Sequence, residues 1–333
     1  MTQDLDQTAT RIIRSTYVWD AHGGFMPDPL ADLENLDLWR KNGFDYLSIN
    51  AGFDCLSWTD AIRTISGFSH WIRANPDRYR LVETVKDIEQ AQAAGQMAIT
   101  FDLEGANTLN DDPGMVEVYH KLGVRQMLLT YNLNNSAAGG CHDDDHGLQP
   151  FGREVIDELN RLGMFVDLSH CGFRSTMDII EHSPKPVIFS HANPRALWDH
   201  ERNITDDQIQ GCAETGGLAA VVGIGRFMNG DNSAARLVDG IVYMADLVGP
   251  EHVGIGLDYA FDVQCPNIEG LFDRMSHYWP ASQGYGARPT HYVKPDQLHT
   301  ITKEMLARGL SEDEVCGILG GNFLRLASQI WAR

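Results

Sequence analysis

The feature that most constrains the fold is a repeated pairing of a short apolar run with a helix-patterned segment. Residues 164–170 and 186–191 are two such runs, rich in β-branched and aromatic residues, and each ends on a histidine. About 15 residues with helical periodicity separate them, which is typical of parallel strands joined by a crossover helix. We therefore expect His170 and His191 at the same end of neighbouring strands, where α/β proteins hold ligands and metals.

The same order recurs along the whole chain. Strands are predicted at 17–22, 44–50, 97–103, 124–131, 164–169, 186–190, 217–223 and 252–258. Helical patterns are predicted at 1–15, 30–41, 57–74, 84–94, 113–121, 152–162, 173–182, 205–214, 233–247, 295–308 and 312–331. Eight strands alternating with helices, without a break in composition, predict a single (β/α)8 TIM barrel over residues 1–333. The polar, aromatic segment 259–294 is expected to be an excursion over the barrel mouth.

Composition excludes several classes of protein. The chain has 46 acidic and 26 basic residues, a formal net charge of -20 at pH 7, and such a field repels nucleic acids. The N-terminus lacks the pattern of a signal peptide, and no apolar run approaches the roughly 20 residues needed to span a bilayer. The six cysteines are scattered without CxxC spacing, which argues against a disulfide framework. We expect a cytoplasmic protein without nucleic-acid or membrane partners.

Polar residues with metal-binding chemistry stand at the ends of the predicted strands. They are His22, Glu104, Tyr131, His170, His191 and Asp258. Imidazole and carboxylate are the ligands of Zn²⁺ and similar ions, and a carboxylate can bridge two of them. A single histidine is more often structural, but three at one level of a barrel favour a metal site. Asp20, two residues before His22, and Asp167, three before His170, are expected to orient the imidazoles.

Taken in order, the motifs of the chain resemble those of the renal or membrane dipeptidases, the metal-dependent dipeptidases of peptidase family M19. The matching stretches run almost from end to end. They are Asp20-Ala21-His22, Glu104-Gly105, Asp167-Leu168-Ser169-His170, Ser190-His191, Arg202-Asn203, Gly256-Leu257-Asp258 and Gly321-Asn322-Phe323. The amidohydrolase-like barrel of that family agrees with the eight predicted strands.

The resemblance implies a set of metal ligands. Glu104 would bridge two zinc ions, His170 and His191 would complete one site, and His22 would belong to the other. The first motif departs from the family's His-x-Asp pattern, because Gly24 stands where the aspartate is expected and offers no ligand. The chain is thus expected to hold one or two Zn²⁺ ions. Asp28 or the loop 141–146 could supply the missing carboxylate.

The resemblance also implies residues that act on the substrate. Arg202 matches the arginine that grips the substrate carboxylate, and Asp258 matches the aspartate that handles the proton of the water or the leaving group. The family places an oxyanion-stabilising histidine after the fourth strand, where this chain has Tyr131. A tyrosine hydroxyl can donate the same hydrogen bond. His142 or His146 is the alternative.

Three functions follow from these observations. The leading one is a zinc-dependent hydrolase of dipeptidase type, which cleaves the amide bond of a dipeptide or a similar small substrate with a free carboxylate. The second is a related barrel amidohydrolase acting on another small amide or a lactam. The third is a catalytically degenerate barrel that binds a metal or a small molecule. The sequence does not decide whether the chain forms a homodimer, because no stretch of it identifies an interface.

Overall fold

Ten strands form one sheet in the computed structural model, which describes residues 2–260, 270–285 and 290–331. The strands are β1 (Trp19–Gly24), β2 (Tyr46–Phe53), β3 (Tyr79–Leu81), β4 (Met97–Glu104), β5 (Val124–Leu128), β6 (Phe165–Asp167), β7 (Ile188–Phe189), β8 (Leu218–Val221), β9 (Val253–Ile255) and β10 (Tyr259–Ala260). All the pairings are parallel, in the order β10-β1-β2-β4-β5-β6-β7-β8-β9.

The ends of the sheet meet through the last strands. β9 pairs with β8, and β10, which continues the same stretch of chain, pairs with β1 by placing Tyr259 opposite Gly23. Between β9 and β10 the amide of Asp258 donates to the carbonyl of His22 at 3.0 Å. The predicted (β/α)8 barrel is therefore confirmed. The prediction missed β3, a three-residue strand too short to show a period, which pairs with the first residues of β4.

Helices follow most of the strands and cover the outside of the barrel. They are α1 (Thr2–Ser15), α2 (Asp37–Lys41), α3 (Trp58–Ala74), α4 (Val85–Ala93), α5 (Met115–Lys121), α6 (Pro150–Leu162), α7 (Phe173–His182), α8 (Asp206–Glu214), α9 (Ala234–Val248), α10 (Leu271–Arg274), α11 (Leu298–Ala307), α12 (Glu312–Cys316) and α13 (Asn322–Ile330). Capping boxes at Ser57, Thr84 and Thr205 begin α3, α4 and α8, because each hydroxyl accepts an amide N–H that the helix leaves unpaired.

Two predicted helices are wrong in extent. The helix predicted at 30–41 is reduced to α2 and a preceding 3₁₀ turn, because the carboxylates of Asp28 and Asp32 accept the amides of Leu30 and Glu34 and hold the chain in turns. The helix predicted at 312–331 is broken at Gly317–Gly321, which form a wide π-turn. A Cβ atom at Gly320 would lie 2.4 Å from the carbonyl oxygen of Tyr17, so glycine is required where this turn packs against the barrel.

Aromatic side chains fill the N-terminal end of the barrel. The rings of Trp19 and Tyr46 stack with centroids 3.5 Å apart, and Phe323 of α13 stacks on Trp19 at 5.5 Å. Phe165 and Trp331 complete this buried cluster. Burial of a side chain such as Phe323 contributes about 1.5–3 kcal/mol. This end of the barrel is closed by apolar packing, which leaves the opposite end for polar groups.

Two bulges alter the sheet at that opposite end. Between Asp20 and Gly23, two residues of β1 face one residue of β2, and a second bulge lies between Asn50 and Phe53 of β2. A bulge interrupts the alternation of side chains and re-aims those beside it. The side chain of His22 therefore does not follow the direction that a regular strand would give it.

Three further expectations concern membrane-spanning helices, disulfides and the domain span. No helix in it is both long and apolar enough to cross a bilayer. The described cysteines are free thiols, as expected without a disulfide framework: Cys55, Cys141, Cys171, Cys212 and Cys316. Cys265 and part of the excursion predicted at 259–294 lie outside the described residues, so the single-domain span stays a prediction.

The closing strand gives a test of the fold. A Cβ atom at Gly256 would lie 1.8 Å from the carbonyl oxygen of Ser190, so Gly256→Ala must push two strands apart. We expect it to lower the free energy of unfolding by about 2 kcal/mol or more, measured by urea denaturation. Gly240→Ala, on α9, is the control, because its Cβ would make ordinary contacts of 3.4–3.5 Å with Trp198 and Val221 and should be neutral or stabilising. Equal stability of the two variants would contradict this packing.

Candidate metal centre

Three of the predicted ligands meet at the C-terminal end of the barrel. Glu104 Oε1 lies 3.2 Å from His170 Nε2 and 3.2 Å from His191 Nε2, and the two nitrogens are 3.1 Å apart. All three side chains are buried. Three tetrahedral ligands at a zinc–ligand distance of about 2.0–2.1 Å would be about 3.3–3.4 Å apart. The spacing of these atoms therefore fits one metal ion.

Neighbouring residues fix the protonation of the two imidazoles. Asn132 Nδ2 donates to the carbonyl of Tyr278 at 2.9 Å, so its Oδ1 faces His170 Nδ1 at 2.6 Å and accepts the ring proton. His191 Nδ1 lies 2.7 Å from the hydroxyl oxygen of Ser190. A hydroxyl oxygen can accept the proton of the ring while its own O–H turns to another acceptor. Both Nε2 atoms are then unprotonated and direct a lone pair at the carboxylate.

Burial controls the charge of this group. It lowers the pKa of His170 and of His191 well below the usual value, and the charges of Arg202 and His22 act in the same direction. Burial also raises the pKa of Glu104 to about 8, against the opposing charge of His22. The histidines are thus neutral, as metal ligands must be. A bound cation would restore the ionised form of Glu104.

A second group lies on the other side of Glu104. His22 Nε2 is 3.5 Å from Asp258 Oδ1 and 3.6 Å from Glu104 Oε1, and the His22 ring stacks on His191 with centroids 4.0 Å apart. His22, His191 and Asp258 form a second set of atoms close enough to hold an ion. His191 belongs to both groups, and Glu104 Oε1 lies near His22 as well as near His170, so the bridging role that the resemblance implies for Glu104 stays a prediction.

The expected sources of the missing carboxylate do not reach this second site. Asp28 accepts the amide of Leu30 at 2.9 Å and belongs to neither group of candidate ligands among the described residues. The loop 141–146 likewise contributes to neither group. Asp258 is the carboxylate that lies beside His22. An ideal Cβ atom at Gly24 would be 3.2 Å from Asp258 Oδ1, so a side chain there would enter the same space.

The carboxylates expected to orient the histidines accept hydrogen bonds from other groups. Asp20 accepts from Trp39 Nε1 at 2.7 Å and from the amide of Leu257 at 2.9 Å, and the bulge that follows it breaks the regular alternation between Asp20 and His22. Asp167 accepts the amides of Ser169 and Ser190 and does not meet the His170 ring. Both expectations were wrong, because they assumed that position along a strand determines the direction of a side chain.

Asp102 takes the role that was expected of Asp20. Its Oδ1 lies 3.2 Å from His22 Nδ1, in an ion-pair contact that is not an aligned hydrogen bond. Ser48 and Asn50 of β2 donate to the same carboxylate at 2.6 and 3.2 Å. Burial lowers the pKa of His22, but Asp102 and Glu104 together raise it well above its usual value. The signal was present in the sequence, since Asp102 precedes Glu104 by two residues on one strand.

Several site residues lie beyond the ends of their strands. β6 ends at Asp167 and β7 at Phe189, so His170 and His191 stand in the loops that follow. His170 has φ +67° and Asp258 has φ +50°, a left-handed conformation that is uncommon for residues other than glycine. Such backbone is found at functional sites, where surrounding contacts hold it in place.

Tyr131 lies against the first group of ligands. Its ring centroid is 4.5 Å from that of His170, and its hydroxyl oxygen accepts from Trp279 Nε1 at 2.9 Å. Because an indole can only donate, the tyrosine keeps its own proton for another acceptor. Of the alternatives, His142 is engaged with Glu201 and Tyr285, and His146 is exposed. The described structure thus brings Tyr131, rather than His146, to the site.

Arg202 is buried beside the histidines. Its Nη2 donates to the carbonyl of His191 at 2.8 Å, and its Cζ lies 5.9 Å from the ring centroid of Phe227. Within the described ranges, Nε and Nη1 are buried and have no hydrogen-bond partner. Unpaired donors on a buried guanidinium cost free energy unless an anion occupies them. The geometry therefore suits a carboxylate-binding pocket next to the candidate metal site.

Asp54 is a buried carboxylate that sequence reasoning missed. It accepts from the amides of Asn107 and Tyr131 at 2.9 and 3.0 Å and from Asn135 Nδ2 at 2.9 Å. Burial raises its pKa to about 7. The residue joins the loops after β2, β4 and β5 and so fixes the position of Tyr131. Nothing in the sequence around Asp54 signals these contacts, which come from distant loops.

The bridging position of Glu104 is testable by metal analysis. Glu104→Gln keeps the shape of the side chain but removes a charge that both sites share, so we expect metal affinity to fall by more than about 100-fold. Glu181→Gln, an exposed change on α7, is the control and should leave the metal content at the wild-type level. Unchanged metal content in Glu104→Gln would show that the ion is held elsewhere.

The place of Gly24 gives a second test. Gly24→Asp should bring a carboxylate next to Asp258 and His22 and raise the number of metal ions per chain towards two. Gly24→Asn is the matched control, because it has the same shape without the charge and should add no ion. Atomic absorption on dialysed protein measures both. If Gly24→Asp leaves the stoichiometry unchanged, another group already completes the site around His22.

Comparisons with known proteins show which family the chain is similar to. A family model described as membrane dipeptidase (peptidase family M19) matches residues 31–278. Dipeptidase tcpJ of Claviceps purpurea is 28% identical over 280 residues, which are 82% of this chain and 60% of that protein. An uncharacterized dipeptidase of Schizosaccharomyces pombe is 32% identical over 243 residues, 70% of this chain and 53% of that protein. The chain therefore spans little more than half the length of these two relatives.

A solved structure shares the fold of this chain. An amidohydrolase from Pseudomonas aeruginosa superimposes with a TM-score of 0.89 at 26% identity, over 98% of this chain and 99% of that one. The match to the family model covers well over half of the chain, including Glu104, His170, His191 and Arg202. The resemblance seen in the sequence is thus confirmed, and the chain belongs to the membrane dipeptidase family, peptidase family M19.

Proposed function

We propose that the chain is a metal-dependent dipeptidase that holds zinc and cleaves the amide bond of a dipeptide or a similar small substrate with a free carboxylate. One observation carries the proposal: Arg202, with two unpartnered buried N–H groups, lies beside the converging ligand atoms of Glu104, His170 and His191. An anion receptor next to a cation site suits a substrate whose reacting bond is close to a carboxylate.

Zinc is the ion that best suits these ligands. Two neutral imidazoles and a carboxylate, with room for a further ligand, are a common set in catalytic zinc sites. Such an ion polarises a carbonyl group and lowers the pKa of a bound water. Asn132 and Ser190 support the choice by holding His170 and His191 with Nε2 free. The site built on His22 and Asp258 would hold the second ion more weakly, because Gly24 supplies no ligand.

The remaining residues have separate tasks in hydrolysis. Arg202 Nε and Nη1 would bind the substrate carboxylate and fix the distance of the scissile amide from Glu104. Tyr131, whose proton is free, would donate to the oxygen that gains charge as the carbonyl is attacked. Asp258 would take a proton from the attacking water and deliver it to the leaving amine. Burial raises the pKa of Asp258, which suits a group that must hold that proton.

A second candidate is a barrel amidohydrolase that acts on another small amide or a lactam. The observation that favours it is the combination of Gly24 and Tyr131 at positions where the family's pattern has an aspartate and a histidine. Substrate choice can change with such replacements while the Glu104, His170 and His191 group stays the same. A barrel that binds a metal or small molecule without turnover is the third outcome of the experiment below.

A metal and substrate panel tests the proposal. The protein is loaded with zinc, its metal content is measured, and release of amino acids is followed with free-acid dipeptides, the same dipeptides amidated at the C-terminus, N-acyl amino acids and lactams. We expect turnover of free-acid dipeptides and at least a 10-fold lower kcat/KM for the amidated forms, because Arg202 loses its partner. Turnover of only lactams or N-acyl amino acids would support the second candidate, and bound zinc with no turnover the third.

Tyr131 is the most informative catalytic position. Tyr131→Phe keeps the ring against His170 but removes the hydroxyl, so we expect kcat to fall by about 100-fold with little change in KM. Tyr243→Phe, on α9 away from the mouth, removes a hydroxyl that donates to Asp206 and is the control. Unchanged kcat in Tyr131→Phe would exclude the hydroxyl as the group that stabilises the oxyanion.

A further inference from the structure

A chain of three polar side chains lies beside the candidate metal centre. His142 Nδ1 is 3.1 Å from Glu201 Oε2, and His142 Nε2 is 3.0 Å from the hydroxyl of Tyr285. The side chain of His142 is fully buried. His142 comes from the loop after β5, Glu201 from the loop after β7, and Tyr285 from the segment 275–285, which packs against the barrel mouth. None of the three has a part in the function proposed above.

The directions of these hydrogen bonds follow from the groups themselves. An ionised carboxylate can only accept, so His142 Nδ1 donates its proton to Glu201. Burial lowers the pKa of His142 to about 4, so the ring is neutral and Nε2 has only a lone pair. The Tyr285 hydroxyl must then donate to Nε2. Because the proton of Tyr285 is used in this bond, its oxygen can only accept further hydrogen bonds, whereas the hydroxyl of Tyr131 can still donate one.

Tyr285 and Arg202 share one wall of the site. The ring of Phe227 lies against both, with its centroid 5.9 Å from Arg202 Cζ and 6.2 Å from the Tyr285 ring centroid. Burial raises the pKa of the Tyr285 hydroxyl, the charge of Asp258 adds to the rise, and the charge of Arg202 opposes it. An acceptor oxygen and the guanidinium assigned to the substrate carboxylate therefore belong to side chains that pack against the same ring, that of Phe227.

This pairing matches one arrangement of atoms in a substrate. In an N-acyl α-amino acid, including the second residue of a dipeptide, a single carbon separates the amide N–H from the carboxylate. We propose that Tyr285 accepts a hydrogen bond from that N–H while Arg202 holds the carboxylate, and that Glu201 and His142 are positioning residues that fix the tyrosine. The inference rests on the proposed function for the role of Arg202. It names the substrate class as amides with an N–H, in preference to N-alkylated ones such as those of proline and sarcosine.

Equilibrium binding tests the inference without requiring turnover. The zinc-loaded full chain is titrated calorimetrically with N-acetylglycine and with N-acetylsarcosine, which differ only in that N-methylation removes the N–H. We expect the wild type to prefer N-acetylglycine, and Tyr285→Phe to weaken its binding about 3- to 10-fold while leaving N-acetylsarcosine unchanged. Tyr243→Phe is the matched control and should change neither. Equal effects of Tyr285→Phe on the two ligands, or no effect on either, would overturn the inference.

The positioning role of His142 is tested by the preference for one ligand over the other, which a general loss of structure would not change selectively. His142→Ala should reduce the preference for N-acetylglycine as Tyr285→Phe does. His142→Gln, whose amide oxygen can accept the tyrosine proton, should retain more of the preference than His142→Ala. Near-ultraviolet circular dichroism and metal content check that the variants stay folded. If the alanine and glutamine variants keep the full wild-type preference, His142 does not position Tyr285.

Kinetics separate this inference from the proposed function. Alanylglycine and alanylsarcosine are the paired dipeptides, and the ratio of their kcat/KM values is compared between wild type and Tyr285→Phe. A preference for N-acetylglycine in binding that depends on Tyr285, without any dipeptide turnover, would support the inference while the dipeptidase proposal fails. Dipeptide turnover with a ratio that Tyr285→Phe does not change would support the dipeptidase proposal and overturn the inference.

Discussion

The candidate site depends on three lone pairs that converge in a buried space. Glu104 Oε1 and the Nε2 atoms of His170 and His191 lie within 3.2 Å of one another, and the ring protons are on the far nitrogens. Burial raises the pKa of Glu104 to about 8, so a proton relieves the repulsion until a cation attracts all three lone pairs and replaces it. Asn132 and Ser190 maintain the arrangement, because each accepts the proton on the far side of a ring. The site is therefore organised for a metal ion through its hydrogen bonds as well as its ligands.

Packing elsewhere in the barrel offsets the free-energy cost of burying so many polar groups together. Apolar rings around Trp19 and Phe323 fill the N-terminal end, so stability comes from packing far from the ligands. At the opposite end, bulges in β1 and β2 and the left-handed backbone of His170 and Asp258 direct side chains inward. Strained backbone is tolerated where neighbouring contacts hold it in place. At Asp258, such a contact is the hydrogen bond from its amide to the His22 carbonyl.

The sequence predicts the part of the structure that follows from periodicity. Alternating strands and helices give the barrel, and strand ends give Glu104, His170 and His191, because parallel strands deliver their C-terminal ends to one edge. The roles of Asp20 and Asp167 could not be read in the same way. A bulge after Asp20 breaks its alternation with His22, and Asp167 accepts backbone amides of the loops around it. Even so, period-two alternation could have identified Asp102 from Glu104.

Contacts between distant loops are beyond what periodicity can predict. Asn132 reaches His170 only because its φ is +64° and its amide is held by Tyr278, which is 146 residues away. The hydrogen bonds of His142 with Glu201 and Tyr285 likewise join three loops that no local pattern connects. Such contacts depend on how the closed barrel brings its loops together, so they appear only once the fold is known.

The most direct test of this account is a crystal structure of the protein grown with excess zinc, with anomalous diffraction data collected at the zinc absorption edge. We predict an anomalous peak about 2.0–2.1 Å from Glu104, His170 and His191, with a second, weaker peak beside His22 and Asp258. A map without anomalous density among Glu104, His170 and His191 would contradict the account.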